Sequence, residues 1–253
     1  MWHADIEHTD GNKYRGVYFT SYRPCATTGS SSADYSYQDD NGYNTNTVYW
    51  FKYEPILWDV LDASSGEALV LAHNILDSQQ FYRRGSSGST RAVSGADPVT
   101  GEAWSASGVY DHNWKYSDLR VFANSTFYND AFTVEEKEAV LTKEVDNSNT
   151  SYACENTQER VFVLSSADVR NVNYGLSTTT ARQKEATDYA KCMGVLVSKS
   201  SGRAYDGCSQ WWLRSPYSDI SDLAGLVTSN GSTYGDSVIC AYRGFLPASR
   251  FAI

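Results

Sequence analysis

Residues 210–227, QWWLRSPYSDISDLAGLV, set two tryptophans and an arginine directly before a run of small and polar residues. From Tyr217 to Ile253 the chain then has no Lys, Glu, Gln, Met, Trp or His. Residues 1–216 hold 34 Lys, Glu, Gln, Met and Trp together, a frequency at which about six are expected in the final 37 residues. This segment reads as strands at Trp211–Ser215, Leu223–Thr228, Ser237–Tyr242 and Phe245–Ala252, with Asn230-Gly231 as a hairpin-type turn. The plain alternative is a tight β-hairpin end that prefers small residues.

The rest of the chain supplies strands, then helices. Residues 1–15 are expected to fray, and a short strand follows at Gly16–Tyr22. TVYWFKYEPILWDVLD and EALVLAHNIL are alternating and continuous apolar runs about a tight turn at Ser64–Gly66, as antiparallel strands require. The Gly/Ser-rich stretch RRGSSGSTRAVSGADPVTGEAWSASG reads as a long loop or flap. In YSDLRVFANSTFYNDAF, Leu119, Phe122, Ala123, Thr126 and Phe127 follow helical spacing behind a Ser117 or Asp118 cap. Thr133 and Glu136 have capping-box spacing. ERVFVLSSADVRN is a buried strand ending at Ser165 or Ser166. TTTARQKEATDYAKCMG places Ala186, Tyr189, Ala190 and Met193 on one helical face ending at Gly194. Strands, helices, then strands predict an α+β fold, with residues 1–253 as a single domain.

Charge and motifs exclude several functions. A net charge of −9 leaves no basic patch for nucleic acid. No apolar run is long enough for direct membrane insertion, and Met1–Asn12 lacks signal-peptide character. Five well-separated cysteines form neither a closed disulfide framework nor a zinc pattern, and read as free thiols. There is no dinucleotide, P-loop, zincin or nucleophile-elbow motif. His112 beside Asp111 has the elements of an oriented base, but a loop histidine next to an acid is common by chance. SYQDDNGYN has calcium-loop chemistry without EF-hand spacing, so ordinary loop chemistry is the reading and no cofactor is implied.

The blocks YWFKYEPILWDVL, ALVLAHNILDSQQFY, YSDLRVFANSTFYNDAF, VFVLSSADVRN, ATDYAKCMG, WWLRSP, A-x-x-V-x-x-x-G and GFLPASRFAI, in this order from about Gly16 to Ile253, resemble a bacterial and phage domain of otherwise unknown function. Its members carry a W-L-R-S-P block and end on a G-V-R-P-A-L-like strand. That domain looks like the C-type-lectin fold shared by formylglycine-generating enzymes and the variable proteins of diversity-generating retroelements. The resemblance implies an antiparallel sheet with packed helices and long loops. It also implies one sheet joining the strands near Gly16–Tyr22 and Val48–Leu61 to Phe245–Ala252. Cys208 and Cys240 do not match the close cysteine pair of the enzymes, so no shared copper ligation and no catalytic residues are expected. The calcium-lectin E-P-N, Q-P-D and W-N-D motifs are absent, and Leu246 stands where the family has arginine.

Diversity-generating retroelements mutate adenines, chiefly in AAC codons, whose variants never encode Lys, Glu, Gln, Met or Trp. The missing residue types of the last 37 positions match that rule. The resemblance thus implies a ligand-binding protein, not an enzyme, with residues 210–253 as a diversified region. Trp211, Trp212, Leu213, Ala224, Val227, Val238, Pro247, Phe251 and Ile253 are then fixed framework. Tyr217, Asp219, Ile220, Asp222, Leu223, Leu226, Tyr234, Asp236, Ile239, Tyr242 and Arg243 face the ligand. One of the two adjacent tryptophans can instead face the site, since neighbouring strand residues point to opposite faces. Arg214 reads as structural. The implied partner is a protein or glycan on a cell or phage surface. The alternatives are a formylglycine-generating-type oxidoreductase and an undiversified surface module.

Overall fold

The computed structural model describes every residue except 30–32, 84–89, 149–151, 153 and 218–219. The chain starts with a hairpin of β1 (Trp2–Glu7) and β2 (Lys13–Tyr18), so residues 1–15 are paired where fraying was expected. The cause is an ionic clasp across the two strands. Arg15 donates two hydrogen bonds to Asp5, at 2.8 and 2.9 Å, and reaches Asp130 at 2.9 Å. After β3 (Tyr35–Ser36), β4 (Val48–Lys52) adds to β2 and completes a three-stranded sheet.

Pro55 interrupts the next run, so β5 (Trp58–Ser64) belongs to a different sheet from β4. It turns back on β6 (Glu67–Ala72) through Ser65 and Gly66, both with positive φ (55° and 77°), the geometry of a primed two-residue turn. β7 (Asp77–Ser78) follows. The stretch expected to be a loop contains a hairpin, β8 (Thr90–Ala96) with β9 (Ala103–Tyr110). Its turn is closed by Asp97 Oδ1, which accepts from the N–H groups of Val99 and Thr100.

Helix is brief. Ser117 Oγ accepts from Arg120 N and caps α1 (Asp118–Phe122), which continues through a π-helical turn (Ala123–Phe127) into α2 (Tyr128–Ala131). Leu119 and Ala123 are its buried face. α3 (Val134–Ala139) carries both bonds of the Thr133–Glu136 capping box. β10 (Lys143–Val145) pairs with β11 (Thr157–Glu159), and β12 (Val161–Phe162) follows. Ser165 Oγ then accepts from Asp168 N and opens a 3-10 turn, as its position suggests.

The helix expected up to Gly194 is mostly absent. Residues 184–185 form β13 (Lys184–Glu185), and Ala186 bridges Ile75. Ile75 N donates to Glu185 O and Thr187 N donates to Ile75 O, so helical bonding starts only where Thr187 caps α4 (Asp188–Cys192). β14 (Val197–Ser198) and β15 (Cys208–Ser209) join β13 and β3 in a four-stranded sheet.

The chain ends on β16 (Trp211–Pro216), β17 (Leu223–Val227), β18 (Thr233–Ser237), β19 (Gly244–Phe245) and β20 (Ala248–Ala252). The strand expected at Ser237–Tyr242 lies earlier, because the turn at Asn230-Gly231 delivers Thr233 directly opposite Val227. The strand expected at Phe245–Ala252 is two strands. Pro247 lacks an N–H, and there the chain leaves the five-stranded sheet β18-β17-β16-β19-β7 for the four-stranded sheet β12-β20-β6-β5.

Two expectations are therefore corrected. The fold is not an α+β, C-type-lectin-like sheet carrying packed helices; it is largely β, 37% strand against 17% helix, in several small sheets. Of the N-terminal strands, only Trp58–Ser64 shares a sheet with the C-terminal strand, through β6; β2 and β4 belong to the separate three-stranded sheet. No helix among the described residues is long and apolar enough to cross a membrane.

One large core runs under both main sheets, centred on Trp114, Trp211, Trp212, Phe81 and Phe245, and a small second one joins Val17 and Phe19 to Cys192 and Met193. Beside the large core lies a polar cluster. Arg120, fully buried, pairs with Glu159 and Asp97; Glu159 also accepts from Trp114 Nε1 and Asn124 Nδ2. All five cysteines are free.

Candidate functional site

β16 is the central strand of the five-stranded C-terminal sheet. Trp211, Trp212 and Leu213 are all fully buried, so neither tryptophan faces a surface. Strand alternation sends them to opposite faces, but this sheet is covered on both. Trp211 Nε1 donates to Arg182 O at 3.1 Å on one side, and Trp212 Nε1 donates to Gln79 O at 2.8 Å on the other. Arg214 is held on both an acid and loop carbonyls. It pairs with Asp168 at 2.7 Å and donates to the carbonyls of Val163 and Asp146.

On this base the β17–β18 hairpin alternates. Ala224, Val227 and Val238 are buried as expected of framework, and so is Pro247. Phe251 is half-buried, while Ile253, expected to be framework, is exposed. Among the eleven positions expected to face a ligand, Tyr234 is 59% exposed, Ile220 47% and Ile239 45%. Tyr217, Asp222, Leu223, Asp236, Tyr242 and Arg243 are half-buried. Leu226 is a correction: opposite Trp212 in the register, it is buried and packs in the large core. Asp219 lies outside the described residues.

Several of these side chains meet. Tyr217 and Tyr234 have ring centroids 5.4 Å apart. The Tyr217 ring lies against Gly235, where a Cβ would fall 2.1 Å from it. Asp236 forms an ion pair with Arg243, whose guanidinium carbon is 4.5 Å from the Tyr242 ring centroid. The Tyr242 hydroxyl contacts Cys240 Sγ at 3.3 Å, and burial pushes that thiol up.

Backbone bonds fasten the rim. Tyr217 N donates to Leu223 O and Leu223 N to Ile220 O; Val238 N donates to Asp222 O. Ile220 and Ile239 are each within two residues of that last bond, and Gln80 Nε2 holds the Ile239 carbonyl at 2.6 Å. His112 Nδ1 lies 3.1 Å from Ile220 O. Burial lowers the His112 pKa, so the ring supports the loop as a neutral, fully buried group. Tyr110, 40% exposed, packs on His112 and Tyr152 and extends an aromatic border that the sequence reading missed. Its only signal was the aromatic spacing around Asp111.

The calcium-like loop spends its carboxylates on fastening. Asp39 accepts from Thr27 N and Oγ1, and Asp40 pairs with Lys199. No group of three metal-ligating side chains occurs among the described residues. A cleft of about 780 Å³ lies elsewhere, between residues 50–57 and the segments 73–79, 122–131 and 186–189, with His3 and Arg15 also in its lining, and it is lined by none of the eleven positions.

Residues 65–250 match the family model of a domain of unknown function, DUF6273, which covers nearly three quarters of the chain. No curated protein and no solved structure matches.

Proposed function

The chain belongs to the DUF6273 family, and from that premise we propose that it is a ligand-binding protein whose recognition face is the exposed side of residues 217–243. The observation that carries this reading lies in the stretch lacking Lys, Glu, Gln, Met and Trp. There, buried Ala224, Val227 and Val238 are interleaved with exposed Ile220, Tyr234 and Ile239. The exposed set and its border are rich in Tyr, with Asp, Arg and Ile. Such rings give large contact area at low entropic cost, the chemistry of adaptable binding surfaces. Trp211 and Trp212, which no AAC-derived codon encodes, sit in the frame.

The residue alphabet supports a region diversified as in the variable proteins of retroelements, displayed towards a protein or glycan on a cell or phage surface. The protein acts by binding, not by catalysis. The test is the nucleotide sequence over codons 210–253, compared with a near-copy beside the gene. Differences confined to adenines, on the codons of Ile220, Tyr234 and Ile239 and not those of 211–213, are the expected result. Differences spread over all four bases, or falling on frame codons, count against diversification.

A further inference from the structure

The cleft outside the C-terminal face has its own chemistry. On its wall stands Asp77, only 6% exposed, at the start of β7. Its Oδ1 accepts from Ser78 N at 2.6 Å and its Oδ2 from Gln79 Nε2 at 2.9 Å. Among the described residues no Lys or Arg lies within ion-pair distance of it. The two nearby guanidiniums are committed elsewhere. Arg23 donates to the carbonyls of Ser78 and Ala241, and Arg15 is held by Asp5 and Asp130.

A carboxylate removed from water without a counter-cation is costly, and two amide donors offset only part of that cost. Each oxygen keeps a free lone pair after its amide bond. Burial pushes the Asp77 pKa up to about 6, so at neutral pH the group is still mostly ionised. The cleft lining also includes Trp50, Phe51, Tyr53, Phe122, Phe127 and Tyr189. Ring faces attract a cation and cover an alkyl stem. The lining carries four carboxylates, Glu54, Asp77, Asp130 and Asp188, against Arg15 and Lys52. A volume of about 780 Å³ falls in the range of small-ligand sites.

We propose that this cleft binds a primary alkylammonium group, with Asp77 as its counter-ion and the aromatic walls around its stem. An ammonium suits the site better than a guanidinium, because a planar fork needs both carboxylate oxygens free in one plane and each already accepts a protein donor. Two sources share this chemistry: a free diamine, and a lysine side chain of a peptide.

The experiment is calorimetric titration of the full chain at pH 7.5 and moderate salt. The ligands are 1,5-diaminopentane, Nα-acetyl-lysine N-methylamide and, as neutral counterpart, 1,5-pentanediol. At least one amine is expected to bind with one-to-one stoichiometry, at least tenfold tighter than the diol. The tighter amine identifies the source. Asp77→Asn is expected to lose that tenfold preference. Should Asp77→Asn fail to fold, Trp50→Ala, at a half-exposed ring, is expected to weaken amine binding severalfold while the melting temperature stays near that of the parent. Equal binding of amine and diol by the unmodified chain overturns the proposal, as does amine binding untouched by both variants.

Discussion

Replacing Trp212 by alanine, beside Tyr234 by alanine, separates frame from face. Trp212 is fully buried, packs edge-on against Phe81 with ring centroids 5.8 Å apart, and donates to Gln79 O. A tryptophan buries roughly 200 Å². At about 25 cal/mol per Å² that is about 5 kcal/mol, and a compact denatured state reduces it to about 3 kcal/mol. The cavity and the orphaned Gln79 carbonyl push the other way, giving a loss of about 3–5 kcal/mol. Tyr234 is 59% exposed, and its loss is expected to change stability by about 0.5 kcal/mol or less. The assay is urea unfolding followed by far-ultraviolet circular dichroism, with midpoints compared at equal slope. If Tyr234→Ala loses as much stability as Trp212→Ala, the C-terminal hairpin is core throughout and the distinction between frame and face is wrong.

Three further outcomes are expected. Asp77 holds its proton more tightly folded than unfolded, with a pKa of about 6 against 3.8. Its contribution to stability is thus full below pH 3.8 and lost as pH rises to about 6. That window is worth about 3 kcal/mol, and pH-dependent unfolding of Asp77→Asn against the parent reads it as a missing downward slope. Gly235→Ala forces the Tyr217 ring off β18 and is expected to destabilise by about 1–3 kcal/mol. Adding Tyr217→Ala should recover part of that loss, so a purely additive double mutant would refute the contact. Glu159→Gln leaves the Arg120 guanidinium buried without its main counter-charge and is expected to lose about 3–5 kcal/mol in urea unfolding. A loss below about 1 kcal/mol there would show that Asp97 alone suffices.

What the sequence disclosed was local. The Ser65-Gly66 turn, the Ser117 cap, the Thr133–Glu136 box and the Asn230-Gly231 turn are set by residues within four positions of one another, and all are present. Failures came where distant partners overrode local pattern. Ala186 has helical spacing with Tyr189 and Ala190, yet Ile75 takes the backbone groups on either side of it. Frayed ends were expected for residues 1–15, which Arg15 ties to Asp5 and Asp130, the latter 115 positions away. Leu226 stood among the display positions because the residue alphabet of the tail carries no burial information, and its place opposite Trp212 in the register buries it. The cleft was invisible because its walls come from six separate stretches of chain, and Asp77 in LDSQQ looks like any loop aspartate.

The recognition face is tested most directly by binding of the fluorescently labelled chain to intact bacterial cells and to an immobilised glycan panel. The comparison is a triple variant, Ile220→Ser, Tyr234→Ala and Ile239→Ser, with its melting temperature measured alongside. Saturable binding by the parent, weakened at least tenfold in a triple variant that melts within a few degrees of it, is the predicted result. Binding that survives the triple substitution unchanged would place recognition elsewhere on the molecule and contradict the account.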